Sequence, residues 1–320
     1  MDRLTDRLID RLVVVIISWN TVDLTRDCLV STYEELARLD IESEVWVVDN
    51  ASEDDSVAMI REQFPKVTLI ENNENVGFAR ANNQVLHKAD GSMYLLLNSD
   101  TIVRPGGIGK LVEYLQAQPD IAAVGPRLIL RDDSIQKSIW RLPSTTGELF
   151  YCLSHHFFPF GGLFSTLLSF RRFDMNSITS SRESEVLSAA CLLVRKDVFT
   201  KIGYLEEEYF LFSEENDFFF RMRKAGFRAV YVPEAEVVHL VGQSRKKRSH
   251  LDSEMNFLKS RLIYFRRTDT KASGVVRSIY KFFLGWSLFF ANVTYRLKGS
   301  RNPEYVELYR HLNKTLSETR

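Results

Sequence analysis

Residues 12–18 read L-V-V-V-I-I-S, an apolar run made mostly of β-branched side chains. A run without alternating polar residues predicts a strand that is buried on both faces of a parallel sheet. Further strands are predicted at residues 44–48, 67–71 and 93–97, and helices at residues 24–39, 54–64, 78–88 and 107–118. This alternation of strands and helices predicts a doubly wound α/β sheet.

Polar residues follow three of these predicted strands. They are Ser18-Trp19-Asn20, Asp49-Asn50 and Asn98-Ser99-Asp100. Ligands of open α/β sheets bind in the crevice at the carboxyl ends of the strands. The sequence therefore predicts a ligand site at this edge of the sheet.

The alternation becomes less regular after Pro126. Short strands are predicted at residues 128–130 and 138–140, around a turn at Asp132-Asp133, and longer ones at 186–194, 229–232 and 237–240. Helices are predicted at 196–202 and at 214–225, where Gly226 ends the helix. From Ser253 onward the spacing of apolar residues is mostly helical.

Charge and cysteine content exclude some classes of protein. The chain has 42 basic and 42 acidic residues, so general electrostatic attraction to nucleic acid is not expected. Its three cysteines, Cys28, Cys152 and Cys191, are scattered, which is typical of a reducing compartment. Residues 1–11 lack the pattern of a signal peptide, and no apolar run reaches the roughly 18 residues that a spanning helix needs.

Asp100 comes directly after the apolar strand Tyr94-Leu95-Leu96-Leu97. A carboxylate there can hold Mg²⁺ or Mn²⁺, which take one or two protein carboxylates together with phosphate oxygens. The alternative is an aspartate that caps the following turn. His239 ends another predicted strand. It is a candidate metal ligand only if the fold brings it near Asp100, and otherwise a surface or core residue.

A second group of carboxylates opens the helix at 214–225. Ser213 is a candidate N-cap, and Glu214, Glu215 and Asp217 lie in the first turn, where the helix dipole favours negative charge. The alternative to this structural role is a general base, because a carboxylate beside an apolar wall has a raised pKa and takes a proton from a hydroxyl group.

Residues 75–83 read N-V-G-F-A-R-A-N-N, with Asn75 and Gly77 at a helix start whose backbone amides could meet a phosphate. No G-x-G-x-x-G follows the first strand and no P-loop lysine is present, which disfavours an oxidoreductase and Walker-type phosphoryl transfer. A nucleotidyltransferase is disfavoured because Trp19-Asn20 stands where a Gly-rich basic loop is expected.

Eight segments in order carry a family resemblance over residues 12–244. They are V-V-V-I-I-S-W-N, V-W-V-V-D-N-A-S-E-D-D-S, E-N-V-G-F-A-R-A-N-N, Y-L-L-L-N-S-D-T, V-G-P-R-L, L-S-A-A-C-L-L-V-R-K-D-V-F, E-E-N-D-F-F-F-R and V-Y-V-P-E-A-E-V-V-H. Their order and spacing resemble glycosyltransferase family 2, whose members have the GT-A fold and transfer sugars with inversion.

The resemblance implies roles for individual residues. Asn98-Ser99-Asp100 matches the metal motif, with Asp100 as the metal-binding carboxylate and Asn98 where the family often has Asp. Ser18, Asn20 and Asp49 fall where the family holds the nucleotide. Glu215 matches the catalytic base, at a position where Asp is usual, and Glu214 and Asp217 are alternatives. His239 falls where some members supply a further metal ligand.

The resemblance also implies an architecture and a reaction. We expect a GT-A type, mostly parallel sheet with an acceptor-side insertion and a C-terminal helical extension. Residues 1–130 would bind the nucleotide-sugar, residues 131–245 would form the acceptor-binding and catalytic half, and residues 246–320 would form a helical, membrane-associating region. The branch of the family that these segments resemble transfers L-rhamnose from dTDP-rhamnose to a lipid-linked or growing surface polysaccharide. The alternatives are a UDP-hexose-dependent transferase and a non-catalytic sugar- or membrane-binding relative.

Two aromatic segments suggest a membrane surface. Residues 149–173 are rich in Phe and include Arg171-Arg172 near their end, and residues 278–296 carry aromatic side chains at helical spacing. Together with the basic run at 245–248, they predict a cytoplasmic protein bound peripherally to the inner face of the cell membrane. The alternatives are a domain core with a basic edge for the first segment and packing on the catalytic domain for the second. For the basic run they are a solvated loop and phosphate contact with the donor.

Overall fold

The computed structural model describes residues 11–157, 160, 162–163, 175–240, 250–298 and 303–319. The chain forms two compact units. The sheet unit comprises Met1–Arg141, Met175–Phe210 and Phe218–Lys247, and the helical unit comprises Leu142–Asp174, Leu211–Asp217 and Arg248–Arg320. These units follow spatial contacts, so the predicted functional division at residues 130 and 245 stays a prediction.

The sheet unit is built on a mixed, mostly parallel sheet. Its strands are β1 (Arg11–Ser18), β2 (Glu42–Asp49), β3 (Thr68–Glu71), β4 (Met93–Asn98), β5 (Thr101–Val103), β6 (Ile121–Ile129), β7 (Ile135–Gln136), β8 (Ile139–Trp140), β9 (Arg182–Glu183), β10 (Val186–Leu187), β11 (Cys191–Arg195) and β12 (Arg228–His239). The order across the main sheet is β3-β2-β1-β4-β11-β6-β12-β5, with β7 on β6 and β9 on β12. β11 runs antiparallel to both its neighbours.

Helices flank the sheet and form the second unit. Those of the sheet unit are α1 (Val22–Leu36), α2 (Ser56–Gln63), α3 (Phe78–Leu86), α4 (Gly107–Ala117) and α6 (Lys196–Ile202). Those of the helical unit are α5 (Thr145–His155), α8 (His250–Thr268), α9 (Thr270–Lys298) and α10 (Pro303–Glu318). Helix α7 (Glu214–Lys224) starts in the helical unit, and its residues from Phe218 belong to the sheet unit.

The core of the sheet unit explains why β1 has no polar alternation. Leu12, Val14 and Ile16 are fully buried in one hydrophobic cluster with side chains of the neighbouring strands, and Val13 and Val15 are fully buried as well. Burial on both faces removes any position for a polar residue along the strand. The predicted doubly wound, mostly parallel sheet is confirmed.

Several strand predictions need correction. The strand predicted at 186–194 is two strands, β10 and β11, because β10 pairs with β8 in a separate two-stranded sheet whereas β11 lies between β4 and β6 in the main sheet. The strands predicted at 229–232 and 237–240 are one strand, β12, with a register irregularity between Val232 and Glu236. The strand predicted at 128–130 corresponds only to the end of β6, because Gly125-Pro126 interrupts the apolar pattern of that strand.

The helical unit has its own polar contacts. The Tyr280 hydroxyl donates to Glu148 Oε2 over 2.7 Å, and Asn313 Nδ2 donates to the Leu284 carbonyl over 3.1 Å. Within the described ranges, no helix is both long enough and apolar enough to cross a membrane. The predicted basic sites at 171–172 and 245–248 lie outside the described residues, as do residues 1–10 and 164–170.

Candidate active site

A cluster of buried hydroxyl groups joins the carboxyl end of β1 to the turn after β4. Ser18 Oγ lies 3.0 Å from Thr25 Oγ1, and Thr21 Oγ1 lies 3.2 Å from Ser99 Oγ. Ser18 is fully buried. Thr21 stands at the N-cap position of α1, but its side chain makes no capping hydrogen bond. This cluster fixes the backbone of the predicted ligand edge.

Asp49 and Asn20 organise the loop after β2. Asp49 is buried, and its carboxylate accepts the Ser52 hydroxyl over 2.5 Å and the Ser52 amide over 2.8 Å. Burial raises the pKa of Asp49, and the hydrogen bonds from Ser52 act in the opposite direction. Asn20, at φ 54°, accepts the Glu53 amide over 2.7 Å. Ser52 was missed, although D-x-x-S is a recognisable turn pattern.

Asp100 and His239 meet at the end of the sheet. The antiparallel pairing of β5 with β12 sets Thr101 opposite His239, and the Leu240 amide donates to the Asp100 carbonyl over 2.8 Å. As a result, His239 Nε2 lies 3.2 Å from Asp100 Oδ1. The condition under which His239 becomes a candidate ligand is therefore met. A strand follows Asp100, so it does not cap a helical turn.

The surroundings of this pair are polar and largely enclosed. The side chains of Asp100 and His239 are 10% and 12% exposed. His239 Nδ1 lies 2.9 Å from Gln136 Oε1, on β7. Asn98 anchors the preceding strand end, where its carbonyl accepts the Thr101 hydroxyl over 2.7 Å. No group of three or more His, Cys, Asp or Glu side chains surrounds a metal position among the described residues.

The Asn75–Asn83 motif contacts the chain that leads to the acidic residues. Gly77, at φ 86° and ψ 176°, accommodates the Phe210 carbonyl, which would lie 2.5 Å from an added Cβ. The Phe78 amide donates to that carbonyl over 3.1 Å, and the Gly77 amide donates to Asn75 Oδ1 over 3.1 Å. Both amides have protein partners, so the predicted phosphate contact has no support from them.

Asn83 extends these contacts one turn further along α3. Its Nδ2 donates to the Leu205 carbonyl over 2.8 Å and to Glu207 Oε1 over 3.0 Å, and its Oδ1 accepts the Leu205 amide over 3.1 Å. Arg80 forms an ion pair with Glu207 at 3.6 Å. The motif thus holds residues 205–210. This role was missed because no local pattern indicates a partner more than a hundred residues away.

We call residues 213–217 the acidic segment. The backbone is left-handed at Phe212 and Ser213, at φ 69° and 66°. The Asp217 amide donates to the Ser213 carbonyl over 3.0 Å. The predicted side-chain cap is wrong: within the described part of the chain, Ser213 Oγ is buried without a hydrogen-bond partner. The left-handed backbone differs from the extended conformation usual for a capping serine.

The three carboxylates of this segment have different environments. Asp217 is buried, with the Arg267 Nε at 3.4 Å. Glu214 is buried, and desolvation and the charge of Glu215 raise its pKa well above the usual value. Glu215 is partly exposed, and desolvation raises its pKa while the positive charge of Arg261 acts in the opposite direction. Glu215 is therefore the carboxylate of the three most open to a ligand.

Helix α8 supports the acidic segment within the helical unit. Ser260 Oγ donates to the Leu211 carbonyl over 2.7 Å, and the rings of Phe257 and Phe212 lie 6.1 Å apart. The Arg261 guanidinium lies over Phe257 at 4.9 Å and pairs with Glu148 at 3.2 Å. Sequence reasoning missed these residues, because an amphipathic helix gives no indication of which polar side chains reach a distant loop.

Comparison with known proteins identifies the class. The family model described as glycosyl transferase family 2 matches residues 13–203, and the chain belongs to this family. It is a glycosyltransferase, and it is rhamnosyltransferase-like. It is 30% identical over 221 residues to the N-acetylglucosaminyl-diphospho-decaprenol L-rhamnosyltransferase of Mycobacterium tuberculosis, a match that covers 65% of this chain and 70% of the relative.

Other relatives are more distant. The O-antigen biosynthesis protein RfbC of Myxococcus xanthus is 23% identical over 208 residues, 63% of this chain and 15% of that protein. Among solved structures, the mannosyltransferase PcManGT from Pyrobaculum calidifontis, in complex with GDP-Man and Mn²⁺, has a TM-score of 0.55 at 16% identity, covering 96% of this chain and 84% of that one. GalNAc-T7 with UDP, GalNAc and Mn²⁺ has a TM-score of 0.54 at 14% identity, covering 98% and 57%. These structures confirm the GT-A fold.

Proposed function

We propose that this glycosyltransferase moves L-rhamnose from dTDP-rhamnose, with inversion, to a hydroxyl group of a lipid-linked or growing cell-surface saccharide. The observation that carries the proposal is the pair formed by Asp100 and His239 at the carboxyl end of the sheet. The rhamnosyltransferase relative supports the choice of L-rhamnose and of a lipid-linked acceptor. A UDP-hexose is the second candidate donor.

The residues present fit a divalent cation such as Mn²⁺ or Mg²⁺. With metal–ligand bonds of roughly 2.1 Å, two neighbouring ligand atoms at right angles lie about 3 Å apart. The 3.2 Å between Asp100 Oδ1 and His239 Nε2 is compatible with this geometry. Hard cations at such sites take further ligands from phosphate oxygens and water, so a third protein ligand is not required. When bound, the cation would stabilise charge on the departing nucleoside diphosphate.

Glu215 is the proposed general base. It is partly exposed, and its raised pKa favours proton uptake from an acceptor hydroxyl as that hydroxyl attacks the anomeric carbon. Asp217 is less suited because Arg267 lies beside its carboxylate. Glu214 is less suited because it is buried. The proton passes from the acceptor oxygen to Glu215 while the bond to the leaving diphosphate breaks.

The nucleotide would bind near the loops that follow β1 and β2. We assign Asn20 and Asp49 to the donor side of this edge, together with Asn98. Ser18 and Ser99 would support the backbone of this edge, since both are buried in the hydroxyl cluster. Asn75 and Gly77 would act through residues 205–210, which their motif holds. Residues 1–130 would thus form most of the donor half, with residues 131–245 as the acceptor half.

The helical unit carries an exposed apolar face, defined by Val275, Phe282 and Phe289 on α9. These residues recur every seven positions and are 52%, 58% and 62% exposed, beside the exposed Lys281. An apolar stripe with a neighbouring lysine suits the surface of an anionic membrane. We propose that this face binds the inner surface of the cell membrane, where a lipid-linked acceptor would be located.

Vesicle sedimentation tests the membrane contact. Replacing both Phe282 and Phe289 by Ser is expected to weaken binding to phosphatidylglycerol vesicles about thirtyfold, from roughly 1 kcal/mol for each partly buried ring. Trp140→Ser, which removes an exposed aromatic ring from the sheet unit, should leave binding unchanged. Equal binding by the double variant and the wild type would exclude this face.

Donor binding and hydrolysis over a panel of nucleotide-sugars test the reaction. The panel contains dTDP-rhamnose, UDP-hexoses and GDP-mannose, each with and without Mn²⁺ or Mg²⁺, on wild type and Asp100→Ala. We expect metal-dependent binding and slow hydrolysis of dTDP-rhamnose, both lost in the variant. Selective use of a UDP-hexose would replace the donor. Binding of no nucleotide-sugar with either metal would refute the proposal.

A further inference from the structure

Gln136 reaches the candidate cation site from a separate strand. The short strand β7 pairs with the end of β6, where Gln136 stands opposite Leu128, and β6 pairs with β12, where Leu128 stands opposite Val237. This three-strand register brings Gln136 beside the last residue of β12. Its Oε1 lies 2.9 Å from His239 Nδ1.

The chemistry of this contact selects one form of the imidazole ring. A glutamine Oε1 only accepts hydrogen bonds, so a hydrogen bond at this contact requires the tautomer in which His239 Nδ1 carries the proton. In the neutral ring the other nitrogen then has a free electron pair. That nitrogen, Nε2, is the one that faces Asp100 at 3.2 Å. Gln136 therefore orients the ring with its ligand atom toward the carboxylate.

We propose that Gln136 is a positioning residue for the cation site, holding His239 in the tautomer and orientation in which Nε2 binds the cation together with Asp100. The proposal rests on the cation site of the proposed function. Metal-binding histidines commonly donate their second N–H to a carboxylate, carbonyl or water, and loss of that partner costs 10- to 100-fold in metal affinity.

The position of Gln136 separates this role from a structural one. Strand β7 is held by antiparallel pairing with β6 through backbone groups, and these do not depend on the side chain. Gln136 itself is only partly buried. Replacing it by Leu, of similar size, should therefore leave the fold intact while removing the acceptor for His239 Nδ1. Gln118→Leu, at an exposed position after α4, serves as the matched control.

The test is Mn²⁺ affinity, followed by the electron paramagnetic resonance signal of free Mn²⁺, with the full chain in the presence of dTDP. Gln136→Leu should weaken Mn²⁺ binding 10- to 100-fold. Gln136→Glu, which keeps an acceptor at the same position, should retain or strengthen it. Gln118→Leu should bind as the wild type does. In the His239→Ala background, Gln136→Leu should cause no further loss.

The outcomes distinguish this inference from the proposed cation site. Wild-type affinity in Gln136→Leu, or an equal loss with and without His239, would overturn the role of Gln136. If Asp100→Ala abolishes Mn²⁺ binding but His239→Ala does not weaken it, the inference fails while a site at Asp100 remains. If the wild type binds no Mn²⁺ with dTDP present, both fail. Circular-dichroism melting curves of all variants should overlay that of the wild type.

Discussion

Gly77→Ala tests how tightly the start of α3 holds the Phe210 backbone. At φ 86° and ψ 176°, Gly77 occupies a region that is almost restricted to glycine. A Cβ at this position would lie 2.5 Å from the Phe210 carbonyl oxygen and 3.0 Å from its ring. The substitution therefore adds backbone strain and a collision with main-chain atoms, which cannot move away by a change of side-chain rotamer.

The chain provides a matched control for the strain. Gly203, at φ 79° and ψ 178°, has nearly the same conformation, but beyond its two chain neighbours no atom of the described residues lies within 4 Å of the position that an added Cβ would occupy. Gly203→Ala should cost only the backbone strain, about 1–3 kcal/mol. Gly77→Ala should cost this and also the hydrogen bond from the Phe78 amide to Phe210, about 1–3 kcal/mol more if that amide is left unpaired.

Urea unfolding followed by circular dichroism measures the difference. With equal slopes, the midpoints should rank wild type highest, then Gly203→Ala, then Gly77→Ala, with the two variants separated by about 1–3 kcal/mol. Equal losses in the two variants would refute the reasoning, because the contact with Phe210 would then contribute nothing beyond the strain that both glycines relieve.

Three further predictions concern charged side chains of the helical unit. Glu214→Gln should stabilise the protein near pH 7. The raised pKa of Glu214 makes the folded state bind more protons than the unfolded state, so the stability of the wild type falls as pH rises above about 4.5. The melting temperature of the variant should therefore exceed that of the wild type by a margin that grows from about pH 4.5 to 8. Arg261→Met should raise the pKa of Glu215 further, because a positive charge is removed, and the acidic limb of the kcat profile should move to higher pH. Glu148→Gln should destabilise the helical unit by about 3 kcal/mol in urea unfolding, because it leaves the Arg261 guanidinium without its carboxylate.

Each of these predictions has a contrary result. A Glu214→Gln variant that melts below the wild type across the pH range would mean that the carboxylate makes a stabilising contact. An unchanged pH profile in Arg261→Met would separate Arg261 from the titration of Glu215. For Glu148, Tyr280→Phe is the control, since it removes one hydrogen bond to the carboxylate and should cost less, about 1.5 kcal/mol. Equal losses would assign the effect to that hydrogen bond.

Patterns that depend on neighbouring residues were predictable from the sequence. The uninterrupted apolar run of β1 predicts burial on both faces, and the polar residues after β1, β2 and β4 predict the edge at which Asp49 and Asp100 lie. Such patterns record local periodicity and the ends of elements, which fix the fold class and the side of the sheet that carries the site.

Contacts between distant segments were not predictable in the same way. The approach of His239 to Asp100 depends on β5, a strand of only three residues whose pairing partner is remote in sequence. The Asn75–Asn83 motif was interpreted as a phosphate site, whereas Asn83 holds the backbone of Leu205. The type of a polar residue does not show whether its side chain contacts a ligand or supports a loop, so such assignments need the tertiary structure.

The central claim is that this chain transfers a sugar with Glu215 as the base. The most direct measurement is the rate of rhamnosyl transfer from dTDP-rhamnose to an N-acetylglucosaminyl-diphospho-lipid, with Mn²⁺, by wild type and Glu215→Gln, alongside donor affinity. We predict transfer by the wild type, a loss of about 10²- to 10⁴-fold in kcat for the variant, and unchanged donor affinity. A variant that transfers at the wild-type rate would contradict the assignment of Glu215, and a wild type that transfers no sugar would contradict the proposed reaction.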